Sequence, residues 1–311
     1  MTTLITGATG FLGRHLTSVE LLEGHEVIGI GRRDNFLEGC RGIVSSLEEI
    51  DALNDALKDI SPQRVFHLAA VTLEPSTPEE FSELFLVNVQ YTLNLINLLK
   101  EKNFRGKVVL ASSCSVYGLP RSQDGLVTEM EELKPVLQYG LSKLMQEQLL
   151  SFSASKEGFE FCAGRLFNLM GPGEPPRLVA SALCRRAAHM LSKGEKGLLE
   201  VGNTASVRDF LDVRDAAAGL QAIMDSNING ECNVCSGTPR AILELVESIC
   251  QLSGLDGFVE SDSFTKSIDI KAIYGDNSKL SDSGWTPKYE FRESLESVWN
   301  EALKNSDLDI E

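Results

Sequence analysis

No run of apolar residues in this 311-residue chain is long and uninterrupted enough to cross a bilayer as a helix. Positive charge is also in short supply. Asp and Glu number 45 against 29 Lys and Arg, a formal net charge of -16. So acidic a chain has no general attraction for nucleic acid or an anionic membrane, both of which recruit basic patches, and we expect neither as a partner. The cysteines form no even, spaced set. Cys40, Cys114, Cys162, Cys184, Cys232, Cys235 and Cys250 are 7 in number and scattered, as befits reduced thiols in a cytoplasmic protein. Cys232-Asn233-Val234-Cys235 is a CxxC. It lies in a strand-like run without a second CxxC or a nearby His, so we read it as core thiols rather than a metal or redox site. A secretory leader is not expected, because Thr3 to Thr6 already reads as a strand. Repeats and low-complexity tracts are missing too. What remains is an ordinary globular composition, enough for one large core or two coupled domains.

The stretch Gln138-Tyr139-Gly140-Leu141-Ser142-Lys143-Leu144 carries the first chemical signal. A tyrosine and a lysine four residues apart share one face of a helix. An ammonium beside a phenol favours its ionised form, which suits a general acid or base. An isolated pair of this kind is more often an ordinary amphipathic helix with a solvated lysine, and its surroundings reverse the odds.

Those surroundings begin at the N-terminus. Thr3 to Thr6 reads as a strand, Gly7-Ala8-Thr9-Gly10-Phe11-Leu12-Gly13 as a glycine turn, and Phe11 to about Glu23 as a helix. Strand, glycine turn and helix start together make a phosphate cradle, although the spacing is GxxGxxG rather than GxGxxG. The second strand, Glu26 to Gly31, ends in Gly31-Arg32-Arg33 where an NAD site ordinarily has an acid for the ribose hydroxyls. Two guanidiniums there suit a 2′-phosphate, so NADP is expected over NAD. Gly42 to Val44 reads as a third strand, Leu47 to Ile60 as a helix, and Arg64 to Leu68 as a fourth strand ending in His67-Leu68-Ala69-Ala70. A long helix over 79–102 carries Asn88. The fifth strand, Lys107 to Ser112, enters Ser112-Ser113-Cys114-Ser115-Val116-Tyr117-Gly118, and a polar loop over 119–135 follows. Next come a helix over 136–156 and a sixth strand over 159–167. The Gly- and Pro-rich segment over 168–176 reads as the exit from this sheet. Helices are expected over 178–193, 212–224, 243–253 and 291–304, with strands over 198–201 and 232–234. The series predicts an α/β fold, a doubly wound parallel sheet. Residues 1–168 form a Rossmann domain to which 205–236 return, and 169–311 form a smaller substrate domain.

Taken together, the segments above resemble the extended short-chain dehydrogenase/reductases that modify nucleotide sugars. Arg165-Leu166-Phe167-Asn168, Gly171-Pro172-Gly173, Val207-Arg208-Asp209-Phe210 and Gly284-Trp285-Thr286-Pro287 add to the likeness. Among those enzymes the chain is most similar to GDP-6-deoxy-4-keto-hexose reductases. The resemblance implies that Tyr139 gives a proton to a sugar keto oxygen, that Lys143 lowers the tyrosine's pKa and binds the nicotinamide ribose, and that Ser113 bonds the same oxygen. It implies cofactor contacts at Gly7, Gly10, Phe11, Leu12, Gly13, Arg32, Arg33, Leu68, Ala69, Ala70, Leu166 and Phe167. For a nucleotide diphosphate sugar it points to Thr72, Asn168, Val179, Arg185, Val201, Arg208 and Lys266. It also implies a homodimer through the family's fourth and fifth helices, with Phe81, Leu84, Phe85, Leu141 and Met145 as apolar surface. Ser115 stands where dehydratases of the family have a glutamate base, so elimination is disfavoured. We therefore expect an NADPH-dependent reductase of a nucleotide-linked 4-keto-6-deoxy sugar. A nucleotide-sugar epimerase is the nearest alternative, and a non-catalytic NADP-binding redox sensor a more distant one.

Overall fold

The computed structural model describes residues 1–261 and 270–305. The chain opens with β1 (Thr2–Thr6), α1 (Phe11–Leu22), β2 (Glu26–Gly31), β3 (Arg41–Val44), α2 (Ile50–Ala56) and β4 (Arg64–His67). Then α3 (Pro78–Phe85) passes through a π-helical turn (Leu86–Gln90) into α4 (Tyr91–Glu101). There follow β5 (Lys107–Ser113), a 3-10 turn (Cys114–Val116), β6 (Leu126–Val127), α5 (Gln138–Glu157), β7 (Glu160–Leu166), β8 (Asn168–Met170) and α6 (Val179–Ser192). The remainder comprises β9 (Leu198–Val201), β10 (Val207–Asp212), α7 (Val213–Asp225), β11 (Gly230–Val234), β12 (Pro239–Ala241), α8 (Ile242–Ser253), β13 (Gly257–Glu260), β14 (Ala272–Gly275), α9 (Ser278–Ser281) and α10 (Phe291–Lys304).

The order of the seven-stranded sheet is β11-β7-β5-β4-β1-β2-β3, and all its pairings are parallel. Every residue of β5 is buried, as a central parallel strand with helices on both faces requires. One face is covered around Leu53, Leu95, Leu98 and Leu150, from α2, α4 and α5. The other is covered around Leu16, Ala216, Leu220 and Ile223, from α1 and α7. Because β1 pairs with both β2 and β4, the chain reverses its progress across the sheet there. A doubly wound sheet binds ligands in the crevice at the carboxyl ends of such neighbours. A smaller sheet (β12-β10-β14-β6, with β8 on β10) and the pair β13-β9 lie beyond it. A third core gathers α6, α8 and α10 around Leu183, Leu245 and Trp299. No helix among the described residues is long and apolar enough to cross a membrane.

Several elements depart from the sequence-based expectation. The helix over 79–102 is divided by the π turn, which turns Asn88 fully inward. The region over 47–60 keeps only the seven residues of α2 as helix. The loop over 119–135 contributes β6, whose Leu126 pairs with Tyr274. Two residues are too few to show an alternating pattern. Within 205–236, β10 belongs to the small sheet and only β11 joins β7 in the large one. Cys232 and Cys235 are buried in different clusters. Cys232 lies within β11, and Cys235 is the first residue beyond its end.

Candidate active site

The carboxyl end of β5 and the first turns of α5 meet over that crevice. Ser113 is the last residue of β5 and caps the 3-10 turn, its hydroxyl oxygen accepting from the Ser115 N–H at 3.1 Å. Helix α5 comes unusually close. A Cβ on Gly140 would fall 2.4 Å from the Ser115 carbonyl oxygen. The missing side chain at 140 therefore lets Tyr139 stand beside Ser113. Burial raises the Tyr139 phenol above its usual range, and the Ser113 hydroxyl pulls the other way. The expected lowering by Lys143 does not figure among the influences on this phenol: burial raises it, Ser113 opposes and Cys114 adds to the rise. A phenol held protonated is a proton donor. The Lys143 Nζ lies 6.0 Å from the Tyr139 ring centre and donates to the Ala111 carbonyl at 2.8 Å. Burial lowers the lysine to about 7, while Glu147 supports its charge.

Tyr139, Lys143 and Glu147 form a column at intervals of four along α5. Glu147 accepts from two of the three Arg165 nitrogens, Nε at 3.1 Å and Nη2 at 2.8 Å, and from Ser112 at 2.5 Å. Arg165 and Glu147 are 1% and 2% exposed, so neither charge is left to water. The Tyr117 hydroxyl carries this network on to Asn233 at 2.6 Å. Asn88 supplies the second brace. Its amide exchanges hydrogen bonds with the Val71 backbone at 2.8 and 2.9 Å and donates to Ser142 at 2.9 Å. His67 is packed rather than catalytic, lying between Thr6 at 2.7 Å and Thr92 at 2.9 Å. Burial, aided by the Lys143 charge, depresses it to about 3 and keeps it neutral.

The glycine turn fits a dinucleotide phosphate. Gly10 is the N-cap of α1, and no side chain bonds there. The helix-start amides are open to an anion. Gly7 has φ +73°, and a Cβ on it would lie 2.9 Å from the Ala69 nitrogen; on Gly13, it would lie 2.1 Å from the Gly7 carbonyl oxygen. Arg32 and Arg33 are exposed beyond β2. Arg32 lines an open depression with Ser45, Ser46, Glu48 and Glu49.

The model of the NAD dependent epimerase/dehydratase family matches residues 3–235. The chain belongs to that family. It is 30% identical over 302 residues to GDP-6-deoxy-D-mannose reductase of Pseudomonas aeruginosa, covering 94% of both chains. The solved structure of RMD from Pseudomonas aeruginosa complexed with NADPH matches at TM-score 0.82 and 27% identity, covering 97% of this chain and 99% of that one. UDP-glucose 4-epimerase of Thermus thermophilus, solved in complex with NAD, matches at TM-score 0.84 and 25% identity over the same shares.

Within this epimerase/dehydratase frame, the remaining residues fall into two groups. Leu68, Ala69 and Ala70 follow β4 beside Gly7, and Leu166 ends β7 in register with Ser113. Thr72 accepts a hydrogen bond from Arg177 at 3.1 Å. Asn168 donates to the Asp209 carbonyl at 3.0 Å, and Val179 begins α6 at 40% exposure. Arg208 donates to the carbonyls of Val207 and Ile270 at 2.8 and 2.7 Å. Arg185 stands half-buried on α6. Two others have side chains buried in cores. Phe167 packs with Val116, Tyr117 and Ile273, and Val201 is 1% exposed inside the third core. Lys266 lies outside the described residues. At the base's place in the dehydratases stands the Ser115 hydroxyl, which accepts from Ser113 at 3.2 Å. Burial pushes the intervening Cys114 thiol up to about 12, so it is not an acid at neutral pH. Sequence reasoning missed Glu147, for which the interval of four after Lys143 was the available signal.

Proposed function

We propose that this enzyme reduces the keto group of a nucleotide-linked 4-keto-6-deoxy sugar with NADPH. The observation that carries the proposal is the Ser113-Tyr139-Lys143 grouping with a protonated phenol and a serine in place of a base at 115. NADPH, when bound, would supply the hydride that the carbonyl carbon takes up. Tyr139 gives its phenolic proton to the oxygen, so ketone becomes alcohol. Ser113 bonds that oxygen as charge gathers on it. Lys143, as its ammonium, favours the phenolate left behind and would hold the ribose. The NADPH-bound neighbour and the GDP-sugar reductase relative support this choice of cofactor and substrate. Gly31-Arg32-Arg33 offers cations rather than a carboxylate to a ribose phosphate. Asn168, Val179, Arg185 and Arg208 are proposed for the nucleotide sugar, and a substrate-binding portion is proposed over 169–311, of which β11 and α7 pack with the large sheet.

The test is stoichiometry. A keto-sugar nucleotide should consume one NADPH per alcohol formed. Turnover of a nucleotide sugar without net NADPH loss would instead indicate an epimerase, which the NAD-bound epimerase neighbour keeps in view. We also propose a homodimer through α3, α4 and α5. Phe81, Leu141 and Met145 are 43%, 43% and 37% exposed, and Phe152 adds 70% on the same stripe of α5. Leu84, expected on that surface, is fully buried and packs inward.

A further inference from the structure

Helix α5 begins without a cap of its own. Its N-cap residue is Leu137, which makes no side-chain hydrogen bond, and no acidic residue stands in its first turn. Helix-start amides left in that state need partners from elsewhere. The partner is a carboxylate from the β4–α3 loop. Glu74 Oε1 accepts from the Gln138 N–H at 2.9 Å, and Oε2 from the Tyr139 N–H at 3.1 Å. A negative charge there also suits the positive end of the helix. Glu74 is itself held on both sides. Asn88 pins Val71, Arg177 bonds Thr72, and Glu80 ties down Ser76 and Thr77.

We propose that Glu74 is a positioning residue for the reduction: by gripping the first two amides of α5 from a loop fixed at both ends, it sets where the Tyr139 phenol enters the site. This role rests on the reductase function proposed above. It acts through Tyr139 and touches no reacting atom. The braces on the loop make the cap preorganised, so a displacement at Glu74 passes directly to the residue that delivers the proton.

The test compares Glu74→Ala, Glu74→Ala with Leu137→Asp, and Tyr139→Phe in the full-length protein. Leu137 already has the extended backbone of an N-cap (φ -117°, ψ 151°), so aspartate there can supply the lost acceptor locally. With the 4-keto-6-deoxy GDP-hexose and NADPH, Glu74→Ala should lower kcat on the order of tenfold and leave both KM values unchanged. Leu137→Asp in that background should restore most of the loss. Without substrate, amide hydrogen exchange should show Gln138 and Tyr139 losing protection in Glu74→Ala while 146–157 stay protected. Unchanged exchange at those two amides overturns the proposal. So does a variant that melts lower yet keeps wild-type kcat, which marks a merely structural cap. An inactive Tyr139→Phe beside a fully active Glu74→Ala removes the role of Glu74 alone. An active Tyr139→Phe removes the reductase function as well.

Discussion

Replacing Gly140 with alanine sets two effects of opposite sign against each other. In a helix interior this change ordinarily stabilises by about 1 kcal/mol, because glycine loses more backbone freedom on folding, and in the first turn, where Gly140 stands, that is an upper bound. Gly140 has no positive φ, so backbone strain does not enter. Here, however, the new methyl would lie 2.4 Å from the Ser115 carbonyl oxygen, 3.0 Å from its carbonyl carbon and 3.1 Å from the Pro135 Cβ. Non-bonded heavy atoms rest about 3.5 Å apart, so α5 or the 3-10 turn must retreat by about 1 Å. Overpacking of that kind costs about 1–3 kcal/mol, which offsets or exceeds the propensity gain. The parts forced apart are those carrying Tyr139 and Ser113, and a misplacement of about 1 Å can cost about a hundredfold in rate. Thermal melting and NADPH oxidation therefore read the change together. Gly140→Ala should melt no higher than wild type and lose about ten- to a hundredfold in kcat. A variant that melts higher with wild-type kcat would refute the close approach of α5 to Ser115.

Three further substitutions test the surroundings. Glu147→Ala leaves Arg165 charged and 1% exposed; it should cost about 3–5 kcal/mol in denaturant unfolding, the penalty of an uncompensated buried charge. Lys143 ordinarily titrates at 10.5 but near 7 in the fold, so between those values the unfolded chain binds more protons and stability rises with pH. Lys143→Met should accordingly melt higher than wild type below pH about 7, with the gap closing toward pH 10.5; an equal gap at all pH values would refute the buried ammonium. Arg32→Ala should raise the KM for NADPH about tenfold or more and leave that for NADH nearly unchanged, the worth of a lost charge-assisted bond; equal effects on both would place the 2′-phosphate elsewhere.

What the sequence made legible was whatever one element carries by itself. The glycine turn sits between a strand and a helix in consecutive residues, and Tyr139 and Lys143 share a face by spacing alone. What escaped needs two distant segments at once. Glu74 meets Tyr139 across 65 positions, and Arg165 meets Glu147 across 18. Neither carboxylate looks different from a solvated one until its partner is in place. For Phe167 and Val201, expected at the ligands from a motif match, the structure adds that their side chains fill cores. Asn88 falls between these cases. The sequence placed it inside a helix, and the π turn is where that residue reaches Val71 and Ser142 together. An α-helical continuation through 86–90 would rotate Asn88 by part of a turn and break one of those bonds. The irregular backbone is thus part of what holds the loop after β4 against α5, and with it Glu74 against the amide of Tyr139.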